Sequence, residues 1–423
     1  MIIAVIGGGY VGLTTALCFT ELGHNVYLIE KNKKKLSLLN EGRLPIQEPL
    51  LDNIFSKNRS KISFNEHLDE ISGDVNAIFI AVGTPTVEGR QDLSQVENGC
   101  VEVGRVLKNM SKYCVVVIKS TVLPTSVKSV IVPTLEKISG KKIIKDFGFA
   151  VNPEFLRQGN AVNDFMHPDR IVIGAYDEQS FRVVREIFRG IDTQILEVSP
   201  ETALMIKYAT NAMLALRISF INEIGNICKK IGVDVRDVAR GIGMDRRISP
   251  HFLNAGIGFG GSCLPKDVQA LKMLAADIRE DSPILDAILK INQSQSLKVI
   301  ELLKKYFPSL KRRKVMVLGL AYKPNTDDVR ESRSTTIIKS LLEHETYVIA
   351  HDPLAADNFK ELHPDIKIDY VDDPQEGVQV ADAVIIATEW PEYSELDYSG
   401  KIVIDGRGIK INGTDVKYEG VCW

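Results

Sequence analysis

The first thirty residues of this chain constrain its fold more than any other stretch. Residues 1–6 and 25–29 are short apolar runs of the kind found in buried parallel strands, and a helical pattern lies between them. The turn after the first run contains three glycines with the spacing GxGxxG: Gly7, Gly9 and Gly12. A strand–helix–strand unit with this turn is typical of a dinucleotide-binding domain, because the glycines let the backbone reach a pyrophosphate.

Glu30 follows the second run directly and lies 18 residues after Gly12. A carboxylate at this position accepts hydrogen bonds from the adenosine ribose hydroxyls and repels a 2′-phosphate. The sequence therefore predicts NAD rather than NADP as the cofactor. Four basic residues weaken this inference slightly, although a solvated helix start explains them better: Lys31, Lys33, Lys34 and Lys35.

The α/β pattern continues, with further strands predicted at residues 77–82, 114–119, 149–151 and 171–173. The carboxyl ends of strands in a doubly wound sheet face the ligand. Thr84 and Thr121 follow two of these strands and are candidates to contact the cofactor, with ordinary turn residues as an equal alternative. Glu154 and Arg157 follow a third strand, so their segment suits a site loop; the alternative there is a capped helix start.

The pattern from residue 200 to about residue 231 is helical and unusually apolar. Such a helix buries itself against a sister domain or a second subunit. Lys207 and Asn211 lie four residues apart, so both polar groups emerge on one face. A lysine on an apolar helix either extends its ammonium group to water or serves a purpose, and the helix alone favours the first interpretation.

Residues 258–267 read GFGGSCLPKD and bring several reactive groups together. Their glycines permit positive φ angles and a close approach of the backbone to a ligand. Pro265 suits the first turn of a helix, which would place Cys263 at the helix N-terminus, where the macrodipole favours a thiolate. Lys266 and Asp267 supply a cation and a possible base within one turn. We interpret Cys263 as a nucleophile; the alternative is an inert buried cysteine in a tight turn.

After a basic linker at residues 311–314, the strand pattern restarts at residues 315–318, 346–350, 383–387 and 401–405. This order predicts a second Rossmann-like domain. Its first turn, residues 319–323, lacks the later glycines of a dinucleotide fingerprint, so we expect it to hold the phosphates of another nucleotide, with Lys323 as a point charge. Residues 327–332 either cap the next helix or place Arg330 at the domain cleft.

The composition excludes several classes of partner. The chain contains 52 Lys and Arg against 55 Asp and Glu, a balance that disfavours nucleic acid and anionic membranes. Its six cysteines have no CxxC or other metal-ligand spacing, so no metal site is predicted. With no signal peptide and no apolar run of the ~18 residues that a membrane span requires, we expect a cytoplasmic protein.

Four segments together resemble the UDP-glucose/GDP-mannose family of nucleotide-sugar 6-dehydrogenases: GFGGSCLPKD at 258–267, STV at 120–122, NPEFLR at 152–157 and GLAYKPNTDDVRES at 319–332. The match extends from Ile2 to about Arg407. The resemblance implies an α/β fold of two doubly wound Rossmann-like domains joined by a long central helix that also builds a homodimer. Residues 1–199 would then bind NAD, residues 200–300 would form the helical, cysteine-bearing region, and residues 311–423 would bind a UDP-sugar.

The resemblance also implies an activity, the four-electron oxidation of a sugar C6 hydroxymethyl group to a carboxylate, with two NAD and a thiohemiacetal and thioester on Cys263. The NPEFLR segment resembles the branches that act on UDP-glucose and GDP-mannose. UDP-glucose is therefore the expected substrate, with GDP-mannose or another UDP-sugar as the alternative. Two further alternatives are a two-electron hydroxyacid dehydrogenase, in which Cys263 is structural, and a non-catalytic nucleotide-sugar-binding protein.

The resemblance assigns roles to individual residues by their positions in the motifs. The catalytic set corresponds to Cys263 as nucleophile, Lys207 and Asn211 at the oxyanion, Asp267 as a base acting through water or a group that tunes the thiol, and Glu154 and Thr121 on the hydrolysis and cofactor side. The cofactor contacts correspond to Gly7, Gly9, Tyr10, Val11, Gly12, Glu30, Lys35, Thr84, Thr121, Gln158, Lys266 and Arg330. The substrate contacts correspond to Glu154, Phe155, Leu156, Arg157, Gln158, Lys207, Asn211, Phe252, Leu253, Asn254, Ala255, Gly256, Gly260 and Lys323, with Arg247 reaching the sugar from a neighbouring subunit.

Two positions depart from the family pattern. Gln158 stands where many members carry a second glutamate, so acid–base work there would fall to Glu154 or to a water. Leu264 replaces a common aromatic residue, a change of minor consequence.

Overall fold

The computed structural model of the protein describes residues 1–71, 74–87 and 89–423. The apolar runs of the N-terminal part form one large sheet. The strands are β1 (Ile2–Ile6), β2 (Asn25–Ile29), β3 (Ile62–Asn65), β4 (Ala77–Ile80), β5 (Thr86–Val87), β6 (Arg90–Gln91), β7 (Val115–Ile118), β8 (Gly148–Val151), β9 (Ile171–Ala175) and β10 (Ile195–Val198). Strands β5 and β6 form a separate antiparallel hairpin, and the other eight have the order β10-β9-β8-β7-β4-β1-β2-β3. Because the order reverses at β1, the sheet is doubly wound, as predicted.

Helices cover both faces of this sheet. They are α1 (Tyr10–Glu21), α2 (Lys33–Asn40), α3 (Leu51–Asn58), α4 (Ser94–Asn109), α5 (Val132–Ser139), α6 (Ala161–Met166) and α7 (Glu178–Ile187). Strands β1, β4, β7 and β8 are buried almost throughout, which is typical of parallel strands packed between two helical layers. One apolar cluster contains Leu13 and Phe19 of α1, and the cluster on the other face contains Val103 of α4 and Leu135 of α5.

Strand β9 runs antiparallel to β8, whereas its neighbour β10 runs parallel to β9. The sequence pattern does not reveal this reversal, because a strand buried on both faces has the same apolar character in either direction. The connection from β8 to β9 begins with the NPEFLRQ segment, residues 152–158, and contains the six-residue helix α6 after it.

The C-terminal part contains a second sheet with the strands β11 (Lys314–Leu318), β12 (Tyr347–His351), β13 (Asp369–Tyr370), β14 (Ala383–Ile386), β15 (Ile402–Asp405) and β16 (Lys417–Gly420). Their order is β13-β12-β11-β14-β15-β16, and all of the pairs are parallel. This is again a doubly wound arrangement, which confirms the predicted second Rossmann-like fold. The helices are α8 (Pro200–Ile231), α9 (Val235–Gly243), α10 (Leu264–Asp277), α11 (Pro283–Gln295), α12 (Lys298–Tyr306), α13 (Arg333–Glu343), α14 (Ala356–Leu362) and α15 (Pro374–Val380).

The described chain separates into two compact units, residues 1–209 and 210–423, and the boundary lies within α8. This 32-residue helix has the limits that the sequence predicts. By length and composition alone it could cross a membrane, a property that it shares with the core helices of soluble proteins.

One exposed side chain adopts a backbone conformation that suits it poorly. Ile144 has a φ of 71° in the loop before β8, and half of its side chain is exposed. A β-branched residue in the left-handed region costs free energy, whereas glycine adopts it freely. We expect Ile144→Gly to raise the free energy of unfolding by about 1 kcal/mol, measured by urea denaturation.

A matched control is Ile284→Gly, which removes another exposed isoleucine from the first turn of α11. Glycine is unfavourable in a helix, so the free energy of unfolding of this variant should fall by roughly 0.5–1 kcal/mol. Equal losses in both variants would contradict the assignment of strain to Ile144.

Candidate active site

The carboxyl ends of five neighbouring strands lie in one row across the first sheet. Ile6 of β1 pairs with Ile29 of β2 and Ile80 of β4, while Ile118 of β7 pairs with Ile80 and with Val151 of β8. The turns that follow these strands therefore meet at one edge, where open α/β sheets bind ligands. The candidate residues of the N-terminal third lie in these turns.

The glycine turn after β1 has the geometry that a dinucleotide requires. Gly7 has a φ of 106°, and a Cβ atom on Gly12 would overlap the carbonyl oxygen of Gly7. Helix α1 begins at Tyr10 without a side-chain cap, and a Cβ on Gly9 would meet open space. Val11 follows in the first turn and is partly exposed. An open, uncapped helix N-terminus fits a pyrophosphate, so these residues would hold the phosphates of NAD.

Glu30 lies beside this turn, as predicted from its place at the end of β2. Its Oε2 accepts a hydrogen bond from the Gly8 N–H at 3.0 Å, and its Oε1 accepts one from the Asn32 N–H at 2.7 Å. The lysine run that follows begins α2, where the Asn32 side chain accepts hydrogen bonds from the N–H groups of Lys34 and Lys35. The interpretation of this run as a helix start is therefore confirmed.

The turns after β4 and β7 are joined by hydrogen bonds. The Thr84 hydroxyl donates to the carbonyl oxygen of Thr121 at 2.9 Å, and Nε2 of Gln91 donates to the same oxygen at 2.8 Å. The Gln91 amide also accepts from the Leu123 N–H at 3.1 Å and donates to the Tyr208 hydroxyl at 3.1 Å. Gln91 was not predicted, because the two-residue strands of its hairpin have too little pattern to be recognised.

Glu154 is buried just beyond β8 and forms an ion pair with a lysine of α8. Its Oε1 lies 3.0 Å from Nζ of Lys207, and its Oε2 accepts a hydrogen bond from the Leu156 N–H at 2.6 Å. Burial alone would raise the pKa of Glu154, but the charge of Lys207, these hydrogen bonds and the charge of Lys119 together hold that pKa below its usual value. The interpretation that Lys207 extends to water is wrong, because Glu154 gives the ammonium group a buried partner.

Lys119 is a second buried lysine of this cluster, and sequence analysis did not single it out. Its Nζ donates to Oδ1 of Asn152 at 2.8 Å and to the Asn152 carbonyl oxygen at 3.4 Å. Burial lowers the pKa of Lys119 to about 8, although the charge of Glu154 opposes this shift. Its position directly after an apolar strand is the sequence feature that could have identified Lys119 as a candidate site residue.

The structure describes the whole NPEFLRQ segment, residues 152–158, and these residues form no helix. The alternative of a capped helix start is therefore wrong. The Phe155 ring faces the guanidinium group of Arg170 at 4.1 Å and Nζ of Lys207 at 5.3 Å. Arg157 binds Asp164 through two nitrogens, at 2.6 and 3.0 Å. The remaining two candidates are partly exposed: Leu156 and Gln158.

In the second unit, Cys263 lies at the N-terminus of α10, as predicted. The helix begins at Leu264 with Pro265 in its first turn. Cys263 is partly exposed, whereas the other five cysteines are buried. Cys263 is therefore not the buried residue that the alternative interpretation requires. Its thiol lies at a helix N-terminus, where the helix dipole favours a thiolate.

Asp267 is buried one turn into α10 and binds two side chains. Its Oδ2 accepts a hydrogen bond from Nδ2 of Asn211 at 2.6 Å, and its Oδ1 lies 2.5 Å from Nζ of Lys266. The Asp267 N–H donates to the Cys263 carbonyl oxygen. Helix α8 therefore provides a partner for a buried carboxylate in each unit, Lys207 in the first and Asn211 in the second.

The loop before the cysteine is held by polar contacts. Asn292 of α11 accepts from the Phe259 N–H at 2.7 Å and donates to the Phe259 carbonyl oxygen at 3.0 Å. Gly258 has a φ of 97°, and a Cβ on Gly260 would overlap the carbonyl oxygen of Glu331. The close approach that Gly260 permits is therefore to the protein's own backbone.

Arg407 is a further residue that sequence reasoning missed. Its guanidinium group donates to the carbonyl oxygens of Ala387 at 2.8 Å, Gly258 at 3.4 Å and Tyr322 at 3.5 Å. One side chain thus joins the turns of the second sheet to the cysteine loop. No local pattern could reveal it, because the three acceptors are backbone atoms distant in sequence.

The five consecutive residues 252–256, which are among the expected substrate contacts, differ in accessibility. Phe252 has a φ of 60° and is partly buried, Asn254 is exposed, and Ala255 is partly exposed. Leu253 is packed into the core of the second unit, and Gly256 is buried. Direct contact through the Leu253 side chain is therefore not available in this conformation.

The first turn of the second sheet binds its own acidic residue. Gly319 has a φ of 100°, and Oδ2 of Asp352 accepts hydrogen bonds from the N–H groups of Leu320 at 2.8 Å and Ala321 at 2.9 Å. The corresponding acid of the first sheet, Glu30, is partly exposed and binds one N–H group of its turn, whereas Asp352 is buried and binds two. This turn therefore fits the expectation of a different nucleotide, with Lys323 partly exposed beside it.

Arg330 binds Asp328 through two nitrogens, at 2.9 and 2.6 Å. These hydrogen bonds, together with the charges of Asp328 and Cys263, raise the pKa of Arg330. The Arg330 carbonyl oxygen accepts from the Gly261 N–H, and the side chain of Ser332 caps α13. The segment therefore caps a helix, as one interpretation predicts, and it also contacts the cysteine loop; the placement of Arg330 at the domain cleft stays a prediction.

Comparison with known protein families agrees with this architecture. Residues 1–192 match the NAD-binding domain of the UDP-glucose/GDP-mannose dehydrogenase family, residues 201–294 match its central domain, and residues 316–411 match its UDP-binding domain. The chain belongs to the UDP-glucose/GDP-mannose dehydrogenase family.

Full-length relatives place the chain more closely within this family. The UDP-glucose 6-dehydrogenase of Haloferax volcanii is 39% identical over 99% of both chains. The structure of a UDP-glucose dehydrogenase from Pyrobaculum islandicum is 40% identical, with a TM-score of 0.95 over 100% of this chain and 98% of that one. GDP-mannose dehydrogenase from Pseudomonas aeruginosa is 34% identical, with a TM-score of 0.58 over the full length of both chains.

The position of Glu30 leads to a prediction about cofactor choice. Glu30→Ala removes the charge that repels a 2′-phosphate, so the ratio of kcat/KM for NAD to that for NADP should fall by about tenfold or more. Glu66→Ala is a matched control, because Glu66 faces Lys33 nearby but does not follow β2. An unchanged ratio in Glu30→Ala would remove this role from Glu30.

Proposed function

We propose that this protein oxidises the C6 hydroxymethyl group of UDP-glucose to a carboxylate, giving UDP-glucuronate, with Cys263 as a covalent nucleophile. The observation that carries the nucleophile assignment is the partly exposed thiol at the N-terminus of α10. Burial raises the pKa of the Cys18, Cys100, Cys114 and Cys422 thiols to about 12, so they are poor alternatives.

The first oxidation removes a hydride from C6 and the proton of its hydroxyl group. Bound NAD supplies the hydride acceptor for this oxidation and for the second one. Asp267, held by Asn211 and Lys266, takes the hydroxyl proton through a water, which leaves an aldehyde at C6. The sulfur of Cys263 then attacks the aldehyde carbon, forming a C–S bond and an alkoxide.

The alkoxide requires donors that are already in place. The ammonium group of Lys207 and the amide of Asn211, one turn apart on α8, would stabilise this developing charge. Loss of the C6 hydride from the thiohemiacetal then gives a thioester. The covalent bond to sulfur keeps the aldehyde carbon in position for this second oxidation, which a released aldehyde would not achieve.

Hydrolysis ends the reaction. Water attacks the thioester carbon, the C–S bond breaks, and the sulfur leaves as a thiolate. Glu154 takes a proton from the attacking water, a role that its ionised state supports. The product is a carboxylate, and two hydrides have left the sugar.

The substrate assignment draws support from the relatives and from the second sheet. The two UDP-glucose dehydrogenases named above are 39 and 40% identical to this chain, against 34% for the GDP-mannose enzyme, which represents the alternative substrate. The charge of Lys323, which is partly exposed beside the turn at Gly319, would bind the nucleotide phosphates. A panel of UDP- and GDP-sugars with NAD separates these substrates.

A homodimer formed through α8 is part of this proposal. Met213, Phe220 and Ile227 are exposed at seven-residue intervals and so form an apolar stripe along one side of the helix. Arg247 is highly exposed and binds Asp245, two residues before it, so its guanidinium group is accessible to a second subunit. Sedimentation equilibrium should give about twice the chain mass of 47.0 kDa; a species of that single mass would contradict the dimer.

Removal of the hydrolytic base provides the sharpest test. In Glu154→Gln, UDP-glucose and NAD should give a burst of up to two NADH per site, followed by a steady rate lowered by ~10² to 10⁴. Intact-protein mass spectrometry should detect a UDP-glucuronyl adduct, which Cys263→Ala should abolish. Lys207→Ala should instead weaken the burst itself, because the lysine acts before the thioester forms.

Each alternative gives a different result. One NADH per sugar in the unmodified enzyme would indicate a two-electron dehydrogenase, and no NADH with any sugar would indicate a binding protein. An adduct that survives Cys263→Ala would exclude the cysteine as nucleophile. A Glu154→Gln protein without burst or adduct would show that the glutamate acts before the thioester forms.

A further inference from the structure

Lys119 has no role in the mechanism above, yet it is almost completely buried at the ligand-binding edge of the first sheet. It follows β7 directly, and Asn152 follows β8 directly, because Ile118 and Val151 are paired across these two strands. The register therefore brings Lys119 against Asn152, two residues before Glu154.

The contacts of Lys119 converge on one residue. Its Nζ donates to both oxygens of Asn152, at 2.8 Å to the side chain and 3.4 Å to the backbone. Asn152 is itself buried, and its Nδ2 donates to the carbonyl oxygen of Val172 in β9 at 2.9 Å. The start of the Asn152–Pro153–Glu154 turn is thus fixed from both neighbouring strands.

We propose that Lys119 is a positioning residue for Glu154, which it holds at the edge of the sheet by binding both oxygens of Asn152. This inference rests on the proposed role of Glu154 in thioester hydrolysis. The Pro153 ring adds to the effect, because it restricts the backbone between the bound asparagine and the glutamate.

Charge gives Lys119 a second effect on Glu154. The charged groups that act on Glu154 are Lys207 from α8 and Lys119 from the end of β7, and Lys119 is also influenced by the Cys18 thiol of α1. With a pKa of about 8, Lys119 carries its charge at neutral pH. Both ammonium groups therefore favour the ionised carboxylate that hydrolysis requires.

The sign of the pH effect follows directly. Hydrolysis requires ionised Glu154, so its rate falls as the pH drops through the pKa of that group. Removing the Lys119 charge raises the pKa of Glu154 and moves the acid limb of the rate profile to higher pH. A lysine with a purely structural role would lower stability without moving that limb.

The test uses Lys119→Met in the full-length enzyme, with UDP-glucose and NAD. We expect the NADH burst to persist, the UDP-glucuronyl adduct to accumulate, hydrolysis to slow by about 10- to 10²-fold, and its acid limb to shift upward. Lys141→Met is the matched control, since Lys141 also donates to two carbonyl oxygens, those of Leu107 and Met110, without contacting this segment. The control should hydrolyse the thioester at the unmodified rate and with the unmodified pH profile.

Asn152→Ala separates position from charge and replaces Lys119→Met if that variant does not fold. It removes the side-chain contact at 2.8 Å but leaves the backbone carbonyl oxygen and the Lys119 charge, so hydrolysis should slow while the acid limb stays in place. An unchanged hydrolysis rate and acid limb in folded Lys119→Met, or an unchanged rate in Asn152→Ala, would overturn the inference. If Glu154→Gln accumulates the adduct and Lys119→Met does not, this inference alone fails; if neither accumulates it, the role of Glu154 fails.

Discussion

The buried ion pair between Glu154 and Lys207 is the interaction on which the first unit's ligand-binding edge depends. An isolated carboxylate in such a position would be protonated, since burial favours its neutral form. The ammonium group 3.0 Å away reverses this preference. Removing one member of a buried pair typically costs about 3–5 kcal/mol, because the other charge remains uncompensated. The ionised state of Glu154 in the NPEFLRQ segment therefore depends on Lys207 of α8.

The second unit repeats this principle with a different donor. Asp267 is as deeply buried as Glu154, and it binds the Asn211 amide and the Lys266 ammonium group. Each unit thus binds one buried carboxylate through a polar side chain on the same helix. The apolar surroundings strengthen these contacts by excluding water.

Much of this arrangement could be predicted from the sequence, because its signals are local. The glycine turn, the acid at the end of β2, the limits of α8 and the position of Cys263 each follow from spacing within a few residues. The contacts of Lys119, Gln91 and Arg407 could not be predicted, since each joins segments distant in sequence. The burial of Lys207 belongs with them, because the helix pattern contains no information about Glu154.

The two sheets share a topology, and in both of them the acid after the second strand accepts hydrogen bonds from the first turn. In the first sheet, the partly exposed Glu30 binds one N–H group of the turn, that of Gly8; in the second, the buried Asp352 binds two, those of Leu320 and Ala321. A buried carboxylate already occupies the donors that a pyrophosphate would use there. One fold therefore appears twice in the chain, with the N-terminus of α1 uncapped by a side chain in the first sheet and the donors of the corresponding turn bound to Asp352 in the second. The same topology can thus serve an NAD-binding domain and a UDP-binding domain, because the two first turns offer different groups to a nucleotide.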